Sequence, residues 1–131
     1  MIKDFFIVGM GSFFGGGLRY LISQLLKLSV FGAFPLGTFV VNVLGCFLIG
    51  VFSTLPENHS INPSTRLLLT TGLCGGFTTF STFMNENVSL IKNDNFTMSL
   101  LYVFASLALG FIAVLAGRPL VFRSEERRVG K

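Results

Sequence analysis

Residues 72 to 83 read Gly72-Leu73-Cys74-Gly75-Gly76-Phe77-Thr78-Thr79-Phe80-Ser81-Thr82-Phe83, which joins the apolarity of a membrane span to the glycines and hydroxyls of a loop. In hydrocarbon every backbone amide and carbonyl needs a partner, so a helix is interrupted at depth only where protein or a water-filled cavity receives the freed groups. A break here therefore marks a site. The membrane setting follows from composition: 51% hydrophobic residues, 12% charged and a mean hydropathy of +0.73 leave too few polar side chains to cover a soluble globule. Sixteen Phe, against two Tyr and no Trp, exceed what interfacial belts require.

Four spans can be drawn, at about 4 to 26, 35 to 55, 66 to 91 and 97 to 117, each near the roughly 20 residues that cross about 30 Å of hydrocarbon. The pattern predicts an all-α membrane protein whose third helix is broken. Lys27 and Pro35 flank the first connection, Pro56-Glu57-Asn58-His59 and Asn62-Pro63 mark the second, and Lys92-Asn93-Asp94-Asn95 the third. The first span is read as permanent, because its long apolar stretch carries Gly15-Gly16-Gly17 and Arg19 and no small-residue cleavage site follows. Residues 1–123 are thus one four-helix transmembrane domain. Residues 124–131, Ser124-Glu125-Glu126-Arg127-Arg128-Val129-Gly130-Lys131, are charged and abrupt in composition, and are expected to be a disordered tail.

An even number of spans puts both termini and the second loop on one side. The basic residues there are Lys3, Arg66, Arg118 and Arg123, besides those of the tail, against Lys27, Lys92 and the intramembrane Arg19 elsewhere. That balance is too even for the positive-inside rule to fix an orientation, so a chain of this kind is able to insert both ways. The net charge of +4 owes much to the tail and gives no basic patch for nucleic acid. Cys46 and Cys74 fall inside spans without CxxC spacing and read as buried thiols. His59 stands alone in a loop, so neither a metal centre nor a catalytic dyad is expected, and the chain is not read as an enzyme.

The polar groups that lipid should have excluded carry the rest. Asn42 lies well inside the second span, where its amide suits either a clasp to a neighbouring helix or a dehydrated anion. Gly45 and Ile49 share its face. Arg19 is the basic residue well inside a span, a functional position unless its long side chain snorkels to the surface. Gly9-x-Gly11 is no dinucleotide fingerprint, since the third glycine is misplaced and no strand-turn-helix unit surrounds it. Beyond the break, Thr78, Ser81, Thr82, Asn85, Glu86 and Ser89 recur at helical spacing and predict a polar stripe, and Tyr102, Ser106 and Gly110 are one turn apart in the fourth span. Any one of these hydroxyls could bond back to its own helix; the set together suggests a water or ion path. Phe80 and Phe83 flank that stripe, and an aromatic ring presents a positive edge to an anion that has shed water.

In order along a short four-span chain, Gly15-Gly16-Gly17-Leu18-Arg19-Tyr20, Asn42-Val43-Leu44-Gly45, Gly75-Gly76-Phe77-Thr78-Thr79-Phe80-Ser81-Thr82-Phe83 and the spacing of Tyr102 and Ser106 resemble the Fluc or CrcB family of bacterial fluoride channels. The resemblance covers nearly all of the chain except its last residues. It implies an antiparallel, dual-topology homodimer in the bacterial inner membrane, with fluoride pathways along the subunit interface. Asn42 would donate to fluoride, Phe80 and Phe83 would present ring edges, and Ser81, Thr82, Tyr102 and Ser106 would continue a polar track. Arg19 would attract anions to a vestibule. Backbone carbonyls of Gly75 and Thr78 from both subunits would hold a central sodium ion. Gly110 stands where some relatives carry another serine, which leaves the far end of that track open. The activity implied is passive, selective export of fluoride, giving resistance to it.

Two rivals accompany that expectation. A dual-topology chain of this size also suits a small proton-coupled multidrug exporter, but such a transporter needs a carboxylate deep in its first span, where only Asp4 stands at the edge. The other rival is a subunit that works only with a homologous partner chain.

Overall fold

A computed structural model describes residues 1–27, 34–55 and 62–129, with side chains as far as residue 118. The turn expected at Pro56-Glu57-Asn58-His59 lies outside the described residues. Among those described, all regular structure is helical: α1 (Ile2–Leu26), α2 (Leu36–Ser53), α3 (Pro63–Leu67), a widened π-helical stretch (Leu68–Cys74), α4 (Gly75–Phe77), α5 (Phe80–Lys92) and α6 (Phe96–Val129). Four candidate spans are long and apolar enough to cross a membrane: α1, α2, the interrupted third from Pro63 to Lys92, and α6 as far as Arg118. The helix α6 continues through the first residues of the charged tail to Val129.

The third span starts where its sequence punctuation places it. Asn62 caps α3 by accepting the Thr65 N–H at 2.8 Å, and Pro63 occupies the first turn, where its missing donor costs nothing. Arg66 donates to the Leu55 carbonyl and so ties this end to the end of α2. After α5, Asp94 takes a left-handed conformation at φ 58°, which an aspartate tolerates better than most residues, and the chain turns directly into α6.

Glycine decides which helices meet. A Cβ added at Gly11 would come within 2.6 Å of the Leu68 carbonyl oxygen, and one at Gly15 within 2.2 Å of that of Leu73. The fit is reciprocal: a Cβ at Gly76 would lie 2.7 Å from Ser12 Cα, and one at Gly72 3.1 Å from Gly11 Cα. Two glycines four residues apart on each side thus let α1 and the first half of the third span approach backbone to backbone. On the other side of the bundle, Gly50 of α2 meets the Val114 carbonyl, and Gly117 of α6 meets that of Phe47, each with a 2.4 Å clearance for the missing Cβ.

Large apolar side chains then cover the outside. Phe5, Phe13, Leu21, Phe104 and Phe111 are exposed on the single chain, as lipid-facing groups are. Inside, Phe83, Leu90 and Tyr102 form a cluster with Phe34, Phe39, Met98 and Val103 packed against it. Between α5 and α6, the Asn87 amide donates to the Phe83 carbonyl at 2.9 Å and accepts from Ser99 Oγ at 2.8 Å, a buried clasp with its polar atoms paired.

Candidate functional site

The helix stops at Phe77 and resumes at Phe80. Thr78 (φ −87°, ψ 159°) and Thr79 (φ −149°, ψ 119°) between them are extended, so the backbone groups that follow the Thr78 N–H lack helical partners. Thr79 repairs part of the damage locally, while the Thr78 side chain adds a second bond to a carbonyl that its own N–H already meets at 3.0 Å. Thr78 Oγ1 donates to the Cys74 carbonyl at 3.0 Å, and Thr79 Oγ1 caps α5 by accepting the Thr82 N–H at 3.3 Å. The hydroxyl of Thr79 lies 3.4 Å from that of Ser81 and donates to that of Thr82 at 3.2 Å.

Neighbouring helices supply the rest. Asn42 Oδ1 accepts the Thr79 N–H at 2.8 Å while its Nδ2 donates to the Thr79 carbonyl at 3.1 Å, so one side chain replaces both halves of a backbone pairing. The helix–helix clasp is therefore present, and one N–H of the amide remains beyond it. Arg19 Nε donates to the Gly76 carbonyl at 3.2 Å, and Ser12 Oγ to that of Gly72 at 3.2 Å. A cation at the carbonyl end of the half-helix also opposes its dipole. Arg19 is half-buried and anchored there instead of reaching freely into water.

Beside the break opens a cleft of about 340 Å³, lined among others by Asn42, Thr78, Phe80, Phe83, Ser106 and Gly75. Six of the residues singled out in the sequence, from α2, the break, α5 and α6, thus converge on one space. Its polar groups are few and placed at one edge of apolar walls. Ser106 Oγ is buried with no hydrogen-bond partner among the described residues, an open donor in a site where unmet hydroxyls are costly. Phe80 is 74% exposed and Phe83 only 7%, with ring centroids 6.1 Å apart and planes inclined at 43°.

Phe83 links this cleft to a second group that sequence spacing did not reveal. Its ring meets that of Tyr102 edge-on at 4.8 Å, and the fully buried Tyr102 donates its hydroxyl to Glu86 Oε1 at 2.8 Å. Glu86 Oε2 accepts from Thr38 Oγ1 at 2.9 Å. Thr38 and Glu86 in turn line a cavity of about 210 Å³ that also takes in Ser23, Lys27 and Phe34. A run of groups thus leads from Asn42 and Ser106, past Phe83 and Tyr102, to Glu86, Thr38 and Lys27.

The polar stripe of α5 divides. Thr82 and Glu86 turn partly inward, while Ser81, Asn85 and Ser89 are exposed on the single chain. Gly110 is buried, and a Cβ there would meet Cys46 Sγ at 3.4 Å, which is ordinary contact; the position has room for a small side chain. Thr38, like Ser12, Asn87 and Ser99, carries no mark in the sequence pattern, although it lies one turn before Asn42 on the same face.

The chain is similar in sequence to known proteins. The family model for CrcB-like protein, Camphor Resistance (CrcB), matches residues 6–118. The fluoride-specific ion channel FluC of Phocaeicola vulgatus is 48% identical over 109 residues, 80% of this chain and 90% of that protein. Those of Chlorobium phaeobacteroides and Azobacteroides pseudotrichonymphae are 44% and 42% identical over 117 and 118 residues, covering 88% and 89% of this chain and 90% and 94% of theirs.

Proposed function

This chain belongs to the CrcB family, and from that premise we propose that it is a fluoride-selective channel that lets the ion leave the cytoplasm passively and so confers resistance. The observation that carries the reading is the cleft where an interrupted helix, the Asn42 amide, the partnerless Ser106 hydroxyl and the Phe80 and Phe83 rings converge. Fluoride is small and holds its water tightly, so a pore must replace that water with fixed donors. The N–H that Asn42 retains, the Ser106 hydroxyl and two aryl edges are such donors, and none needs a formal positive charge that would trap the ion. Selection against chloride follows from close contact in a narrow space. Ser81, Thr82 and Tyr102 extend the polar track, and Arg19, held at Gly76, supplies the positive potential that draws anions to its mouth.

The functional unit we propose is an antiparallel homodimer in the bacterial inner membrane. Its support is the weak charge bias of the chain and the outward exposure of Phe80, an aromatic lining the cleft that a second copy would cover. In that arrangement the carbonyls of Gly75 and Thr78 would hold a sodium ion at the dimer centre. The donor set fits: α4 ends at Phe77, so carbonyls near the break have no helical donors ahead, and hard cations take oxygen ligands. Its charge would lower the barrier to an anion in a low-dielectric setting. A subunit that requires a homologous partner chain is the alternative assembly.

The test is efflux from liposomes containing the purified protein alone, followed with fluoride and chloride electrodes after a potassium ionophore is added. Rapid fluoride release without chloride release is the expected result. Equal release of both anions would overturn selectivity, and silence from well-folded protein would point to the missing partner chain.

A further inference from the structure

Cys46 and Cys74 belong to different spans, yet both line the cleft of about 340 Å³. Neither is in a disulfide; Cys74 is 2% exposed and Cys46 is half-buried. Their placement rests on fixed points nearby. Asn42, one turn before Cys46 on α2, is pinned to Thr79, and the bare Cα of Gly45 admits the Thr78 side chain, where an added Cβ would be 2.2 Å from Thr78 Cγ2. Thr78 is itself bonded back to the Cys74 carbonyl. The face of α2 that carries Cys46 and the last turn before the break are therefore held in register, with both residues lining one space.

We propose that Cys46 and Cys74 form a two-sulfur binding site for a soft divalent cation of linear preference, Hg(II), and that its occupation obstructs the cleft. Thiolates are soft ligands, and the thiolate rather than the thiol binds. As each S–Hg bond forms, its S–H bond breaks and the proton passes to water, so two protons leave and no electron is transferred. The product is neutral, which suits apolar walls. Cu(I) or Ag(I) between two thiolates would instead leave a net negative charge in a low dielectric, which is costly. Zinc requires about four ligands, and no group of three His, Cys, Asp or Glu side chains able to hold a metal is present among the described residues. The obstruction rests on the cleft being the anion path; the binding does not.

The full chain is titrated with Hg(II), metal content per chain is measured after washing with a monothiol, the ultraviolet charge-transfer band of mercury thiolate is recorded, and fluoride efflux is followed in parallel. The expected result is one mercury per chain, retained through the wash, with efflux blocked and restored by a dithiol. Cys46→Ala and Cys74→Ser should each lose retention by about a hundredfold, the ordinary worth of a second tethered ligand, and their efflux should resist Hg(II). Retention undiminished in Cys46→Ala, or two independent mercury ions on the wild-type chain, would overturn the site; should Cys74→Ser fail to fold, Cys46→Ala decides alone. Mercury held by both sulfurs with efflux unimpeded would overturn the obstruction. A chain that chelates mercury but carries no fluoride on its own would leave the metal site standing and point to the missing partner chain.

Discussion

The Asn42 amide and the peptide of Thr79 hold each other at both ends, N–H to Oδ1 at 2.8 Å and Nδ2 to carbonyl at 3.1 Å. A carboxylate has the acceptor for this exchange but not the donor. Asn42→Asp should therefore lose one bond, set an oxygen against the Thr79 carbonyl, and place negative charge beside the cleft. The expected outcome is a stability loss of about 1–3 kcal/mol together with loss of fluoride efflux. Thermal unfolding and efflux at wild-type values would show that the clamp is idle.

Phe80 and Phe83 separate two contributions that a double substitution merges. Phe80 is 74% exposed, so Phe80→Ile should leave the melting temperature of the single-chain fold nearly unchanged. Fluoride efflux should nevertheless fall by about fivefold, since an aryl edge is worth roughly 1 kcal/mol to its partner. Phe83→Ile should lower both, because its ring also packs on Tyr102 at 4.8 Å. Full efflux from the double variant would reduce the rings to packing.

The glycines of α1 are not equivalent. A Cβ at Gly15 meets the Leu73 carbonyl at 2.2 Å, whereas one at Gly17 meets nothing within 4 Å. Gly15→Ala should force α1 from the third span and cost about 1–3 kcal/mol, while Gly17→Ala should be neutral or stabilising by up to about 1 kcal/mol. Unfolding in mild detergent compares the two; similar losses would refute the close crossing.

Tyr102→Phe removes a 2.8 Å hydroxyl donor from a half-buried carboxylate and leaves the ring in place. Its stability should drop by about 1–2 kcal/mol, and fluoride efflux should slow without any gain in chloride efflux. Wild-type efflux in a destabilised variant would take Tyr102 off the permeation track and leave it as a prop for Glu86.

How far the sequence could speak depended on whether a feature was local. The break was legible because its glycines and hydroxyls conflict with the apolar run around them, and the extended pair Thr78 and Thr79 falls inside it. For Asn42 two uses were open, and geometry assigns the clasp while sparing one N–H. The triple glycine at 15 to 17 gave no sign that Gly15 alone faces the tight crossing, since this depends on where Leu73 lies. Helical spacing grouped Ser81 and Asn85 with Thr82 and Glu86, but only packing against α2 and α6 separates inward from outward. The Thr38, Glu86 and Tyr102 triad joins three elements through long-range bonds, and no spacing within one helix announces it.

Among the described residues, every side chain from another span that rescues the break comes from earlier in the chain: Ser12 and Arg19 from α1, Asn42 from α2. Synthesis proceeds from the N-terminus, so both helices leave the ribosome before the third span does. The exposed carbonyls and amides of Gly72, Gly76 and Thr79 then enter a membrane that already holds their partners. A segment too polar to lodge in lipid alone is thus received by a prepared surface. The order of the helices along the chain is itself part of how this protein is assembled, and a circular permutation that made the third span first would strand those groups in hydrocarbon.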